Sequence, residues 1–223
     1  MNNAQAKDAP DLPVQGIVVF GDVVRSRRDP VGSADWLREL TTGLQATFAG
    51  EALAAFGFTQ GDELQGLLRP GADPLSVVLW AALGSTARPM RWAVACGPIE
   101  PGQGPATQRT GEAFIQARAA LAENRRLRTS LRIITADPAV DPLLDDLAPV
   151  LGHALDVLSP AQRRVAGLIL VDGLRRSQVA DRLGVSRATV SVTADRAGVP
   201  SLQRLARVIR TLVDRSRPAE RRT

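Results

Sequence analysis

Two acidic residues stand side by side in FTQGDELQGLL (58–68), where Asp62 and Glu63 separate two short apolar runs. A third acid, Asp22, follows the apolar run VQGIVVF (14–20). Carboxylates that lie close together repel one another unless a cation neutralises them. Such a group therefore suits Mg²⁺ that carries the phosphates of a nucleotide.

Ordinary turn chemistry explains the same residues in a second way, because Gly61-Asp62 is a common hairpin turn and Asp22 can simply end a strand. The arginines that follow Asp22 fit either a phosphate clamp or a solvated loop. We predict an acidic pocket in which the metal ligands are Asp22 and Asp62, and the ligand or phosphate residues are Asp22, Arg25, Arg27, Asp62 and Glu63.

The elements that must position these acids have the order β-α-β-β-α-β-α-β over residues 14–138. Alternating and continuous apolar runs predict the strands, and apolar residues at helical spacing predict the helices, the first of them capped by Ser33. This order predicts an α/β sandwich of ferredoxin-like type. In that topology the end of the first strand lies beside the hairpin, so Asp22 and Asp62 are expected to be neighbours.

Charge divides the chain unevenly. Residues 1–149 carry a net charge of −3 and residues 150–223 a net charge of +8, which together give the +5 of the whole chain. A basic last third after an acidic body suggests a second module that meets a polyanion, although a solvated basic tail has the same composition.

The basic third divides into four short helices, each with a serine at the expected N-cap: Ser159, Ser177, Ser186 and Ser201. Gly184 supplies the turn between the second and third helices. The stretch SQVADRLGVSRATVSVTADRA resembles the helix-turn-helix of bacterial regulators, particularly sigma factor region four and LuxR-type domains. The resemblance implies double-stranded DNA as the partner, although a helix-turn-helix can also serve only as a protein contact.

If this segment binds DNA, the third helix enters the major groove and its outward side chains meet the bases, while phosphate contacts position the domain. The predicted base contacts are Arg187, Thr189, Ser191 and Val192. The predicted phosphate contacts are Ser177, Gln178, Arg182 and Arg196. The fourth helix is apolar on one side, which fits either a dimer contact or packing onto the other three.

Four segments, FGDVV, GDELQGLL, RWAVACGPIEP and TGEAFIQARAAL, look like the landmarks of the SatD family of bacterial proteins, in order over about 14–136. More remotely they resemble class III nucleotidyl cyclases and diguanylate cyclases. That resemblance matches Asp22 and Asp62 to the cyclase metal-binding acids, and Glu63 to the Glu of the diguanylate cyclase signature. The positions where cyclases carry an Asn and an Arg hold Ile115 and Ala119, which favours binding over catalysis.

Composition limits the remaining chemistry. The chain has one histidine and one cysteine, which excludes catalysis by His and His- or Cys-rich metal sites. No apolar stretch reaches the ~20 residues of a membrane span, and the first residues lack an apolar signal core, so we expect a cytoplasmic protein without membrane contact.

We therefore predict a cyclase-like α/β sensor domain at 14–138 and an all-α helix-turn-helix domain at 159–215. A disordered N-terminus at 1–13, a connecting helix at 139–158 and a basic tail at 216–223 complete the predicted organisation. The predicted function is a dimeric DNA-binding transcriptional regulator whose first domain binds a nucleotide or nucleotide second messenger, with Mg²⁺ as the possible cofactor. The alternatives are an Mg²⁺-dependent nucleotidyl cyclase or nucleotidyltransferase localised by its helix-turn-helix, and a module that only mediates assembly.

Overall fold

The computed structural model describes residues 14–24, 30–59, 63–84 and 86–217. Within those residues five strands form one sheet and eight α-helices surround it, so the predicted mixed α/β class is confirmed. The strands are β1 (Val14–Val23), β2 (Ala52–Phe58), β3 (Glu63–Leu68), β4 (Met90–Ile99) and β5 (Leu131–Ile134). The predictions that concern residues 1–13 and 218–223 lie outside the described residues.

The sheet has the strand order β2-β3-β1-β4-β5, with β1 at its centre. β1 pairs antiparallel with both β3 and β4, whereas β5 joins the edge of β4 in parallel. This register sets Asp22 of β1 opposite Glu63 of β3 on one side and opposite Arg91 of β4 on the other. The predicted nearness of the first strand and the hairpin is therefore present in the described residues.

Four helices belong to the first two thirds of the chain: α1 (Pro30–Phe48), α2 (Pro74–Leu83), α3 (Glu112–Leu127) and α4 (Asp141–Asp156). Four more follow: α5 (Pro160–Leu170), α6 (Arg176–Leu183), α7 (Arg187–Arg196) and α8 (Val199–Arg215). Among the described residues, none of the helices combines the length and the apolar character that a membrane crossing requires.

The two faces of the sheet bury different apolar clusters, because successive side chains of a strand point to opposite faces. Val18 and Phe20 of β1 pack with α3 in the smaller cluster. Ile17 and Val19 belong to the larger cluster, which includes apolar residues of α1, α2 and α4 and continues into all four helices of the last third. The last third therefore shares a core with the sheet.

The connection between the sheet and the last third runs through α4 and α8, which contact each other, while α4 also packs on β5. The apolar face of α8 is buried within the chain, with Leu202, Ala206, Ile209 and Val213 covered. Of the two alternatives for this face, packing within the chain is the one observed. The guanidinium of Arg210 adds a polar contact, since its Nε lies 2.6 Å from Oδ2 of Asp73 at the start of α2.

Three of the predicted N-caps are wrong by a few residues. Ser33 lies inside α1, which begins at Pro30, and its buried hydroxyl accepts a hydrogen bond from Nη1 of Arg88 at 3.3 Å. Ser177 lies inside α6, whose N-cap is Arg175. Ser201 lies inside α8, whose N-cap Gly198 adopts a left-handed conformation with φ of 63°. In each case the helix begins before the serine.

Because α8 completes the larger apolar cluster, Ile209→Ala is expected to lower the free energy of unfolding by about 2–5 kcal/mol. Ile209 is 0% exposed, whereas its neighbour Val208 is 47% exposed. Val208→Ala is the matched control and should change stability by no more than about 0.5 kcal/mol. Urea denaturation followed by circular dichroism measures both, and equal effects of the two substitutions would contradict the shared core.

Candidate functional site

The predicted acidic pocket lies where β1, β3 and β4 meet α3, on the α3 face of the sheet. Asp22, Glu63 and Arg91 are cross-strand partners, and such partners project from the same face. Asp22 is only 4% exposed although it carries a carboxylate. A buried charge is stable only when it is paired, so its partners decide what the site can do.

Arg125, in the last turn of α3, is the principal partner of Asp22. Its Nη2 lies 2.7 Å from Oδ1 of Asp22 and its Nε lies 3.1 Å from Oδ2. The guanidinium therefore donates a hydrogen bond to each carboxylate oxygen. Arg91 approaches the same carboxylate with Nη1 at 3.5 Å from Oδ2. Paired hydrogen bonds between an arginine and a carboxylate are among the stronger polar contacts in proteins. The positive charge beside Asp22 is thus supplied by arginine side chains.

Glu63 lies at the edge of the same charged group. Its Oε2 is 4.0 Å from Nη2 of Arg125, and its Oε1 accepts a hydrogen bond of 2.8 Å from the buried amide of Gln65. Two of the described acids thus lie beside Arg125, and Asp22 is held more closely than Glu63. Because the side chain of Arg125 remains 48% exposed, a solvent-borne anion can reach this guanidinium.

The position of Arg125 depends on its neighbour Asn124, which is fully buried. The amide of Asn124 donates to the carbonyl oxygen of Trp92 in β4 at 2.8 Å, and its Oδ1 accepts from Oγ1 of Thr129 at 2.7 Å. These bonds fix the end of α3 against the sheet, because a buried amide that loses its partners is costly. Asn124 therefore holds the helix turn that aims Arg125 at Asp22.

A metal ion fits poorly among the acids that the structure describes. No group of three His, Cys, Asp or Glu side chains converges within the described residues, and Asp22 already engages two arginines. The other residues of the prediction, Asp62, Arg25 and Arg27, lie outside the described residues. The metal site involving Asp22 and Asp62 stays a prediction, and a cation at Asp22 has to compete with Arg125.

The sequence contains one signal that could have identified Arg125. Phe114, Ala117 and Leu121 form the buried face of α3, and a step of four residues from Leu121 reaches Arg125. An arginine that continues the apolar face of a helix at its last turn requires an acidic partner nearby. The positions compared with cyclases, Ile115 and Ala119, are exposed on the same helix.

A second candidate surface lies on α6 and α7. Gly184 ends α6 with φ of 64°, in the left-handed region that favours glycine, and the chain then turns into α7. The hydroxyl oxygen of Ser186 accepts a hydrogen bond of 3.0 Å from the backbone N–H of Thr189, as predicted for an N-cap. Val190 and Ala194 are buried, so α7 has one anchored face.

The outer face of α7 carries the residues predicted to meet DNA bases. Arg187, Thr189 and Val192 are exposed, and Ser191 is partly exposed. Val192 is an apolar residue on this polar face, and 50% of its surface is exposed to solvent. A small apolar side chain among polar ones suits contact with a thymine methyl group, whereas Arg187 suits the acceptors of guanine.

The residues predicted to meet phosphates differ in their surroundings. Arg182 and Arg196 are exposed, whereas Ser177 is partly covered. The side-chain oxygen of Gln178 accepts from the backbone N–H of Arg175 at 2.9 Å, which caps α6 and leaves the amide nitrogen as the donor toward a phosphate. These four residues lie on α6 and α7, so they share the surface with the predicted base contacts.

One ion pair joins the two helices of this surface. Nη2 of Arg176 lies 2.8 Å from Oδ1 of Asp195, a contact between the first turn of α6 and the last turn of α7. Asp195 was not among the residues predicted from the sequence to form this surface, and it is exposed there beside Arg196 in the chain. The contact holds Arg176 over the end of α7.

Known proteins similar to this chain are few and distant. No family model matches the chain, and no curated protein matches it. A solved structure of a bacterial light-regulated adenylyl cyclase is similar with 17% identity and a TM-score of 0.41, covering 55% of this chain and 76% of that chain. A second such structure has 15% identity and a TM-score of 0.36, covering 55% of this chain and 43% of that chain. Function therefore has to be inferred from the residues of this chain.

Among the described residues, the removal of Arg125 leaves the buried carboxylate of Asp22 with only the more distant Arg91 as a cationic partner. We expect Arg125→Met to lower the free energy of unfolding by about 1–3 kcal/mol at pH 7, the range for losing a charged hydrogen-bond partner. Urea denaturation of the single and double variants with Asp22→Asn gives the coupling energy, expected at about 0.5–3 kcal/mol.

The neighbouring Arg126 supplies the control, because it pairs with Glu123 in an exposed contact of 2.5 Å. Arg126→Met should lower the free energy of unfolding much less than Arg125→Met does, since exposed ion pairs contribute little. Zero coupling between Arg125 and Asp22 would show that the pair does not hold α3 on the sheet.

Proposed function

We propose that this protein is a DNA-binding transcriptional regulator in which α6 and α7 form a helix-turn-helix and α7 enters the major groove. The observation that carries the proposal is the exposed outer face of α7, where Arg187 and Thr189 stand on a short helix anchored by Val190 and Ala194. The net charge of +8 over residues 150–223 supports a polyanionic partner. A regulator of this kind acts in the cytoplasm, in keeping with the prediction from sequence.

In this proposal the base contacts come from Arg187, Thr189, Ser191 and Val192, and the phosphate contacts from Ser177, Gln178, Arg182 and Arg196. Arg187 follows the N-cap of α7, and the first turns of a recognition helix are the part that meets base edges. Its guanidinium is long enough to donate to O6 and N7 of guanine. The ion pair of Arg176 with Asp195 would keep α6 and α7 in a fixed relation on the duplex.

The proposal includes a homodimer, because paired recognition helices read two half-sites one helical turn apart. The apolar face of α8 is buried against the rest of the chain and is unsuited to that contact. α4 and its C-cap Val157 offer another surface, since Leu143, Val150 and Val157 are exposed at intervals of seven residues. A contact along one side of α4 would join two copies through the element that links the sheet to α8.

DNA binding is tested with the promoter region of the protein's own gene as probe, first by footprinting and then by titration in increasing salt. Arg187→Ala is expected to weaken binding to the preferred DNA site by about 1–3 kcal/mol. It should also reduce the difference in affinity between that site and other sequences. Arg196→Ala should weaken binding to all DNA sites by the same factor. It should also reduce the slope of log affinity against log salt concentration by about one.

Arg126→Ala is the matched control, because it removes the same charge from the exposed surface of α3. Its affinity should stay close to that of the unaltered protein. If Arg187→Ala retains both affinity and site preference, α7 is not the recognition helix; if the protein gives no footprint and no salt-dependent binding, the regulator proposal fails.

For the first two thirds of the chain we propose a cyclase-like sandwich that binds a nucleotide, in line with the SatD resemblance. Support comes from the charged group of Asp22, Glu63, Arg91 and Arg125, where an exposed guanidinium can pair with a phosphate oxygen. Asp22 neutralises much of that charge, so binding of a phosphate at Arg125 alone would be weak. Mg²⁺ held by Asp62 together with Asp22 would strengthen it once Asp22 is released from Arg125.

Nucleotide binding is tested by thermal denaturation of the full chain with ATP, GTP and cyclic dinucleotides, each with and without Mg²⁺. A nucleotide at about 100 times its Kd stabilises the folded state by about 2.7 kcal/mol and should raise Tm by several degrees. Asp62→Ala should lose the Mg²⁺-dependent part of the shift, whereas Asp145→Ala, which removes an exposed acid on α4, should retain it.

The same incubations separate sensing from catalysis. A cyclic or dinucleotide product that disappears in Asp62→Ala would favour the alternative of a nucleotidyl cyclase or nucleotidyltransferase. If no nucleotide changes Tm and no product forms, the nucleotide-binding part of the proposal is wrong and the DNA-binding part is unaffected.

A further inference from the structure

The outer side of α4 exposes apolar side chains to solvent. Leu143, Val150 and Val157, the last of them at the C-cap, are 49%, 57% and 62% exposed. Among the described residues, no other helix has three exposed large apolar side chains. A line of exposed apolar surface commonly marks a contact with another molecule. The partner that fits this line follows from its geometry and from the charges beside it.

The three apolar residues lie on one line along the helix. Seven residues make nearly two turns, so each step of seven returns to within about 20° of the same direction. The line from Leu143 to Val157 is about 21 Å long, because each residue of a helix adds about 1.5 Å. The inner side of α4 is occupied by the fold, since Leu144, Leu151 and Leu155 are buried and the helix packs on β5 and α8.

Two ionisable side chains of opposite type lie beside this line. Asp146 comes three residues after Leu143 and His153 comes three residues after Val150, and both are exposed. Residues three apart are neighbours on the surface of a helix. We call the set of Leu143, Asp146, Val150, His153 and Val157 the α4 face. Its order is apolar, acidic, apolar, basic, apolar, with Val150 at the centre.

The α4 face is complementary to itself when two copies run in opposite directions. With Val150 opposite Val150 of a second copy, Leu143 meets Val157 of that copy at each end. Asp146 then lies within about 1.5 Å, along the helix axis, of the level of His153 of the second copy. In a parallel pair Asp146 would instead face the second Asp146, and like charges repel.

The charges of α4 disfavour a nucleic acid as the partner of this face. Asp141, Asp145 and Asp146 all lie in its first two turns, where they would repel phosphates. Asp145 already pairs with Arg132 at 2.9 Å within the chain. A second copy offers both the apolar line and the imidazole that Asp146 can pair with.

We propose that two copies of this chain associate through their α4 faces in antiparallel orientation, with Val150 at the two-fold axis and Asp146 paired with His153 of the second copy. A two-fold interface uses the same patch of both subunits, as this face does. The inference deepens the homodimer of the proposed function and rests on that function for its role on DNA, whereas the contact itself forms without DNA.

Sedimentation equilibrium of the full chain without DNA measures the dissociation constant of the dimer. Val150→Glu places two carboxylates beside the two-fold axis and should raise this constant at least tenfold. Val208→Glu is the matched control, because Val208 is 47% exposed on α8 and lies outside the contact. It should leave the constant within twofold. A monomer at every concentration, or equal effects of the two variants, would overturn the proposal.

Circular dichroism establishes that Val150→Glu is folded, as its exposed position leads us to expect. Should it unfold, Val150→Ser replaces it and is compared with Val208→Ser. Val150→Ser should then weaken the dimer and Val208→Ser should not. Equal dissociation constants of these two variants would contradict the α4 contact.

An exchange of the two ionisable residues tests the orientation. Asp146→Arg brings a guanidinium near His153 of the second copy, and His153→Asp brings a carboxylate near Asp146, so each should raise the dissociation constant at least threefold. The double variant restores the attraction in an antiparallel pair and should return to within twofold of the unaltered protein. A parallel pair would set Arg against Arg and Asp against Asp. A double variant as weak as either single one therefore rejects the antiparallel contact.

Cysteine cross-linking tests the same geometry directly. Oxidation should join Val150→Cys chains into a covalent dimer, whereas Leu143→Cys chains should stay single, because their thiols would lie about 21 Å apart along the axis. A mixture of Leu143→Cys and Val157→Cys chains should cross-link. Self-linking of Leu143→Cys, or the absence of a link in Val150→Cys, shows that the copies do not meet in this way.

Footprinting on DNA distinguishes the failure of this inference from the failure of the proposed function. If the dimer persists unchanged in Val150→Glu while the unaltered protein gives a footprint, the α4 contact is wrong and the regulator proposal stands. If Val150→Glu separates the copies while the unaltered protein gives no footprint, the regulator proposal is wrong and the α4 contact stands.

Discussion

The apolar cluster on one face of the sheet is the constraint on which the rest of the structure depends. Ile17 and Val19 begin it at the central strand, α1, α2 and α4 cover it, and the four last helices continue it outward. Since burial of apolar surface is the main stabilising contribution to folding, the sheet and the last third stabilise each other. The charged group on the α3 face and the exposed face of α7 both rest on this shared interior.

Much of the fold follows from local patterns in the sequence. The order of strands and helices and the pairing of Asp22 with the hairpin strand could be predicted, because apolar periodicity and turn residues act over short ranges. The starts of α1, α6 and α8 could not, because a serine in the first turn of a helix looks much like one at its N-cap. Pro30, Arg175 and Gly198 stand at those boundaries instead.

The contacts of Arg125 and α8 illustrate what local patterns leave open. Arg125 lies 103 residues from Asp22, and only the packing of α3 on the sheet brings the two together. The apolar face of α8 would suit any apolar partner, and α4 became that partner only because β5 positions it nearby. The sequence therefore predicted the acids of the candidate pocket, Asp22 and Glu63, but not Arg91 and Arg125 beside them. The roles of Arg25, Arg27 and Asp62 remain predictions.

Cys96 has a practical meaning for spectroscopy. It is the only cysteine of the chain, and because burial raises the pKa of its thiol to about 12, almost none of it is present as the reactive thiolate at neutral pH. A fluorophore or spin label directed at thiols would thus react slowly with the natural cysteine of the folded protein. A cysteine introduced on the exposed face of α7 becomes a unique handle, and distances from it can be followed without first removing the natural residue.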